Sequence, residues 1–160
     1  MENIHDNKIS GIGNAVCETV LPAVPLQPLK EIERSIQKKY RNELWSPFIR
    51  ALKEFELVEE GDRIAIAISS GKDSLLLSKL FQELKRASKT NFELVFISMN
   101  PGFNDINLQN LKKNLDYLEI PCEIYNDNIF EIAEQIAKDY PCYMCAKMRR
   151  GSLYTKATSL

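Results

Sequence analysis

The sequence predicts an α/β protein built on a doubly wound parallel sheet, and two observations carry that prediction. Strand and helix patterns take turns three times between Arg63 and Lys138, which argues for parallel strands joined by right-handed crossovers. The strand patterns are also apolar almost without polar alternation, as parallel strands covered on both faces must be.

Each element has its own signal. Residues 1–28, with Gly11, Gly13, Pro22, Pro25 and Pro28, read as an irregular arm. Residues 29–57 read as a helical lead-in. A charged helix runs from Leu29 to Trp45 ("LKEIERSIQKKYRNELW"), and Pro47 suits the first turn of a second helix. That second helix sets Phe48, Ala51, Leu52 and Phe55 on one face. Residues 58–160 hold the α/β domain. "EEGD" turns the chain into a strand from Arg63 to Ile68, followed by a helix from about Asp73 to Arg86. A strand from Phe92 to Met99 leads through "NPGFND" into a helix from Ile106 to Leu118. A strand from Pro121 to Tyr125 leads into a helix from Ile129 to Lys138. After Asp139 the pattern breaks, and a helix beginning near Ala146 still runs at Leu160, so the three-stranded sheet reads as truncated at its C-terminal side.

Composition narrows the classes. The 160 residues suit one domain, and 44% hydrophobic with 27% charged residues is a globular balance. With 21 Lys plus Arg against 22 Asp plus Glu, any nucleic-acid surface must be a local patch. No run approaches the ~18 apolar residues of a membrane span, so no membrane partner is expected. Glu18 and Pro22 make the opening stretch a poor secretory signal. Four cysteines, two of them in one C-x-x-C, do not form a secreted disulfide framework. A cytoplasmic protein with reduced thiols is expected.

The first strand-to-helix turn, "SSGKDS", occupies the position where open α/β sheets bind ligands. Small residues let backbone N–H groups approach an anion, and Gly71 is free to take a positive φ. The helix start adds partial positive charge, Lys72 adds a full one, and Ser69 and Ser74 add hydroxyls. Asp73 suits a Mg²⁺ that bridges phosphates. The same residue types also make an ordinary helix start. A Lys there opposes the helix dipole unless an anion is present. The stretch is not a Walker A loop, because Asp follows Gly-Lys.

The stretch resembles the S-G-G-x-D-S loop of the PP-loop, or N-type, ATP pyrophosphatases, whose fold is that of the adenine nucleotide alpha hydrolases. These enzymes cleave ATP between the α and β phosphates and pass AMP to an oxygen. Ser69, Ser70, Gly71, Lys72, Asp73 and Ser74 are then the ATP-binding residues, with Lys72 and Asp73 also catalytic. Ser70 stands where the family has its first Gly, adding a Cβ where backbone approaches phosphate. The resemblance implies that Met99 and Asn100, ending the second strand, contact adenine largely through backbone. A turn at Pro101-Gly102 explains the same two residues.

"PCYMCAKMRRGSLY", Pro141 to Tyr154, is the second informative stretch. Two thiolates in C-x-x-C reach one metal or iron–sulfur cluster, and a helix N-terminus favours the thiolate. A closed zinc site would have to recruit remote Cys17, Cys122 or His5. A thioredoxin-like dithiol normally follows an early strand, not a third helix. Cysteines merely packed near a helix start are a further reading. With the loop upstream, P-C-x-x-C-x-x-x-R-R-G-x-L-Y resembles the tRNA 2-thiocytidine synthetase family of tRNA sulfurtransferases, from about Leu44 to Lys156. In that family three cysteines hold a [4Fe-4S] cluster. Two of them match Cys142 and Cys145, and the third lies further downstream, with a G-H-x-x-D-D-type segment. The chain is thus expected to be the N-terminal portion of such an enzyme, with an exposed sheet edge and poor stability unless a partner completes it. Cys122 is expected in the core.

The resemblance implies ATP, Mg²⁺ and a [4Fe-4S] cluster as cofactors. ATP would adenylate the C2 oxygen of a cytidine in tRNA, and sulfur from the cluster, or from a persulfide on Cys142 or Cys145, would displace AMP. The partners are tRNA, with a sulfur-donor protein and a homodimer as further candidates. After Asp139 come Lys147, Arg149, Arg150 and Lys156 with no acid, a patch suited to RNA phosphates or to a solvated helix face. Lys147, Arg149 and Arg150 are the RNA candidates. Other ATP-adenylating enzymes and a non-catalytic nucleotide- or RNA-binding fragment are the competing functions.

Overall fold

A computed structural model describes residues 25–136 and 140–160. The arm at 1–24, with His5 and Cys17, and the predicted helix end at Lys138 lie outside the described residues. The lead-in comprises α1 (Leu29–Gln37), a wide turn (Arg41–Trp45) and α2 (Ser46–Glu54). The continuous helix expected from Leu29 to Trp45 is therefore broken. Tyr40 N–H bonds to Ser35 O at 2.8 Å and Trp45 N–H to Tyr40 O at 3.4 Å, each five residues back. An added residue per turn re-aims the side chains that follow. It reconciles two demands: Glu33 and Gln37 are tied to the third helix by hydrogen bonds, while Phe48 must reach Phe81, ring centroids 5.2 Å apart. Pro47 lies in the first turn of α2 as predicted. Phe55 falls past the helix end and is 65% exposed, not part of the apolar face.

Three parallel strands, β1 (Arg63–Ala67), β2 (Glu93–Asn100) and β3 (Cys122–Asn126), lie in the order β1-β2-β3. Ile66 pairs with Phe96, and Phe96 with Cys122. Between them run α3 (Lys72–Ala87) and α4 (Asp105–Tyr117); α5 (Ile129–Ile136) and α6 (Pro141–Thr158) follow. The period of two along each strand divides the side chains between the sheet's faces. Ile66, Ile68 and Phe96 pack with Leu111, Leu115 and Ile120 beneath α3 and α4. Met99 packs on the opposite face with Ile129, Ala133 and Cys145 of α5 and α6. Helices on both faces make the sheet doubly wound, as the sequence predicts.

Two boundaries carry consequences. Helix α6 begins at Pro141 and not near Ala146, because a proline in a first helical turn gives up no hydrogen bond. The C-x-x-C therefore lies inside the helix. Strand β1 pairs with β2 alone among the described residues, leaving its other edge open as expected. Ala65 and Ala67 of β1 are exposed on the α6 side. No described helix is long and apolar enough to cross a membrane.

Candidate nucleotide site and cysteine helix

The loop leaves β1 at its carboxyl end and enters α3. Its start is braced from below: Ile68 N–H bonds to Ile97 O at 2.8 Å, and the buried Ser98 hydroxyl donates to Ile68 O at 2.8 Å. Ser98 was not among the predicted site residues. A lone serine inside the apolar run "LVFISMN" was the available signal.

Ser74 organises the loop. Its Oγ accepts from Ser69 N–H at 3.2 Å and donates to Gly71 O at 2.9 Å. Ser69, Ser70, Gly71, Lys72 and Asp73 stay exposed. Gly71 is the N-cap residue of α3 and offers no side-chain cap, so the first-turn amides lack an intramolecular partner of that kind. Exposed orphan amides, a missing Cβ at Gly71, the Lys72 cation and the Asp73 carboxylate fit an anion with its Mg²⁺.

The expected positive φ falls one residue earlier than Gly71. Gly71 is extended (φ −77°, ψ 155°), whereas Ser70 has φ +63°. Ser70 thus holds a left-handed turn at the position where the resembling loops carry glycine. That conformation costs an L residue roughly 1–2 kcal/mol. Ser70→Gly is expected to raise stability by about 0.5–1 kcal/mol in urea titration, after the loss for greater unfolded-state freedom.

Met99 and Asn100 end β2. The Met99 side chain is 3% exposed and committed to the core, which leaves only its backbone for a ligand. Asn100 makes the turn reading concrete: its Oδ1 accepts from Gly102 N–H at 3.2 Å and Phe103 N–H at 2.7 Å.

The two cysteines of α6 face different surroundings. Cys142 is exposed and Cys145 is buried. Burial pushes the Cys145 thiol above its ordinary range, against the pull of the Arg149 guanidinium. The thiol form is thus favoured at Cys145, where burial outweighs the attraction of the Arg149 guanidinium. Iodoacetamide is accordingly expected to label Cys142 well before Cys145, read by peptide mass spectrometry. Cys122 packs against the core as expected, its thiol pushed up to about 11 by burial and by Glu123. Among the described residues no group of three His, Cys, Asp or Glu could hold a metal ion. The pair alone therefore falls short of a [4Fe-4S] cluster.

Of the tail cations, Lys147 and Arg150 are exposed and Arg149 is half-buried near Cys145. Lys156 does not belong with them: its Nζ lies 2.5 Å from Glu123 Oε1 and its charge is spent on β3. Asp127, just past β3, accepts from Ser152 Oγ at 2.7 Å and ties α6 to the strand ends. Loop and cysteine helix thus both lie toward the carboxyl end of the sheet. Cys145 packs with Met99, near the carboxyl end of β2, the strand beside β1.

No family model matches the chain. Among curated proteins it is similar to tRNA-cytidine(32) 2-sulfurtransferase of Yersinia pseudotuberculosis serotype IB, 33% identical over 131 residues, covering 78% of the chain and 39% of the relative. The enzyme of that name from Pelobacter propionicus is 34% identical over 113 residues, covering 69% of the chain and 42% of the relative. The chain spans about two fifths of the length of the curated relatives it matches. Over its matched residues, with its loop and cysteine helix on a parallel three-stranded sheet, the chain is consistent with a portion of a protein of the tRNA 2-thiocytidine synthetase family.

Proposed function

We propose that the chain is the nucleotide-binding portion of an ATP-dependent tRNA sulfurtransferase. In that reaction a cytidine C2 oxygen attacks the α-phosphorus of ATP, pyrophosphate leaves, and a sulfur nucleophile then replaces the adenylated oxygen as AMP departs. The observation that carries the reading is the placement of the exposed Ser69–Ser74 turn and of the cysteine helix toward the carboxyl end of one sheet.

The roles follow from placement. Orphan amides at the start of α3 and the Lys72 ammonium hold and neutralise phosphate oxygens as charge moves onto pyrophosphate. Asp73 offers its carboxylate to Mg²⁺. Ser69 and Ser74 keep the loop in shape through their mutual hydrogen bond at 3.3 Å. Met99 and Asn100 contribute backbone beside the adenine. Cys142 carries the exposed thiol, and Cys145 packs the helix that presents it. A [4Fe-4S] cluster would take these two thiols and a third cysteine that the described residues do not supply. The exposure of Cys142 favours a second reading of the sulfur carrier, a persulfide on that residue. The relatives' name supports tRNA as the substrate and a cytidine as the acceptor. A tRNA substrate suits a cytoplasmic setting with reduced thiols.

The test is pyrophosphate release from Mg·ATP with and without tRNA, in the chain joined to whatever completes its sheet. Release that requires tRNA supports the assignment. Absence of any saturable Mg·ATP signal overturns it.

A further inference from the structure

We propose that the outward face of α6 is a stacking platform for unpaired bases of an RNA strand. This rests on the tRNA reading and deepens it, because it names the form in which the RNA is held. Tyr143, Lys147, Arg150 and Tyr154 recur at i, i+4, i+7 and i+11, which places all four on one side of the helix. Tyr143 is 70% exposed and Tyr154 68% exposed, while Cys145, Met148 and Leu153 hold the helix against the core. Among the described residues neither Lys147 nor Arg150 has an ion-pair partner, and α6 contains no acid. The stripe spans about 16 Å at 1.5 Å per residue, the length of a few nucleotides.

The composition selects the occupant. Two rings flanking two cations, with no acid in the helix, match the flat bases and the phosphates of an RNA strand. Cations alone would serve a duplex, whose bases are stacked on one another and whose deep groove excludes side chains. Exposed rings add something only where bases are free to stack on them. Two further features fit a strand. The cleft between α6 and β1, about 510 Å³, is lined by Ala65, Ala67 and Ala146 with Arg149 and Arg150 at its side, so flat bases can approach. The strand would pass Cys142, whose exposed thiol precedes Tyr143 by one residue.

The test measures fluorescence anisotropy of a labelled unpaired RNA oligonucleotide, and of the same strand annealed to its complement, with the full chain. Tyr143→Ala with Tyr154→Ala is expected to weaken single-strand binding by about tenfold or more, and duplex binding by less than about twofold. The corresponding Tyr→Phe pair is expected to retain binding, since the ring is what stacks. Lys147→Ala is expected to reduce the salt slope for the single strand by roughly 0.7. Circular dichroism checks that each variant is folded. A folded double-alanine variant that binds the single strand normally overturns the platform alone. So does one whose only change is the dissociation of a self-associated chain. An unmodified, folded chain that binds neither RNA also overturns the platform, while the tRNA reading stands or falls separately on tRNA-dependent pyrophosphate release.

Discussion

Replacing Lys72 by Ala is expected to weaken Mg·ATP binding by about 10- to 150-fold, the loss of one charge-assisted hydrogen bond worth roughly 1.5–3 kcal/mol. The change is separable from folding. Lys72 is exposed, and no hydrogen bond or ion pair among the described residues uses it. A cation in the first turn opposes the helix dipole, so unfolding midpoints in urea are expected to hold or rise slightly. Lys72→Arg keeps the charge and is expected to recover part of the affinity. Equal binding by Lys72→Ala and the unmodified chain would show that triphosphate is held elsewhere, and the assignment of the loop would fall.

Lys79→Ala is expected to lower stability by about 1–3 kcal/mol, the cost of leaving buried acceptors without their donor while Arg86 still faces Glu33. The Lys79 and Glu33 side chains are 3% and 15% exposed, with Nζ 2.7 Å from Oε1. The same ammonium donates to Leu118 O at 3.0 Å, so one side chain of α3 ties α1 to the end of α4. Arg86 completes the cluster, 3.1 Å from Glu33 and 2.5 Å from Glu83. Burial raises the Glu33 pKa, but hydrogen bonds from Lys79 and Arg86 outweigh it and hold the carboxyl below its ordinary value of 4.5. The folded-state value is the depressed one. The stabilisation is therefore complete above the ordinary value and disappears as pH falls through the folded value. Acid titration of Glu33→Gln should lack this component, and its stability curve should approach that of the unmodified chain at low pH. Parallel curves would remove Glu33 from the account.

The α/β class and the location of the loop were legible in the sequence because both arise from local pattern. Ile64, Ile66 and Ile68, and Leu94, Phe96 and Met99, read as strands on hydrophobicity alone, and "SSGKDS" is contiguous. The predicted strand limits lie within one residue of the observed ones at each end. What escaped was decided by contacts distant in sequence. Nothing local to Lys38–Trp45 announces a break, because its cause is the separate claims of Lys79, Glu83 and Phe81 on two parts of the lead-in. Nor does the C-x-x-C spacing reveal that one thiol faces solvent and the other Met99.

By itself, then, the sequence determined the order of strands and helices, the Ser69–Ser74 turn and the cysteine pair, since each is written in adjacent residues. The tertiary structure alone decided that Ser70 takes the left-handed turn, that Lys156 is neutralised by Glu123, and that loop and cysteine helix share one end of the sheet. Those outcomes depend on which surfaces meet once the strands pair, and the free energy of such meetings belongs to packing and desolvation between distant segments.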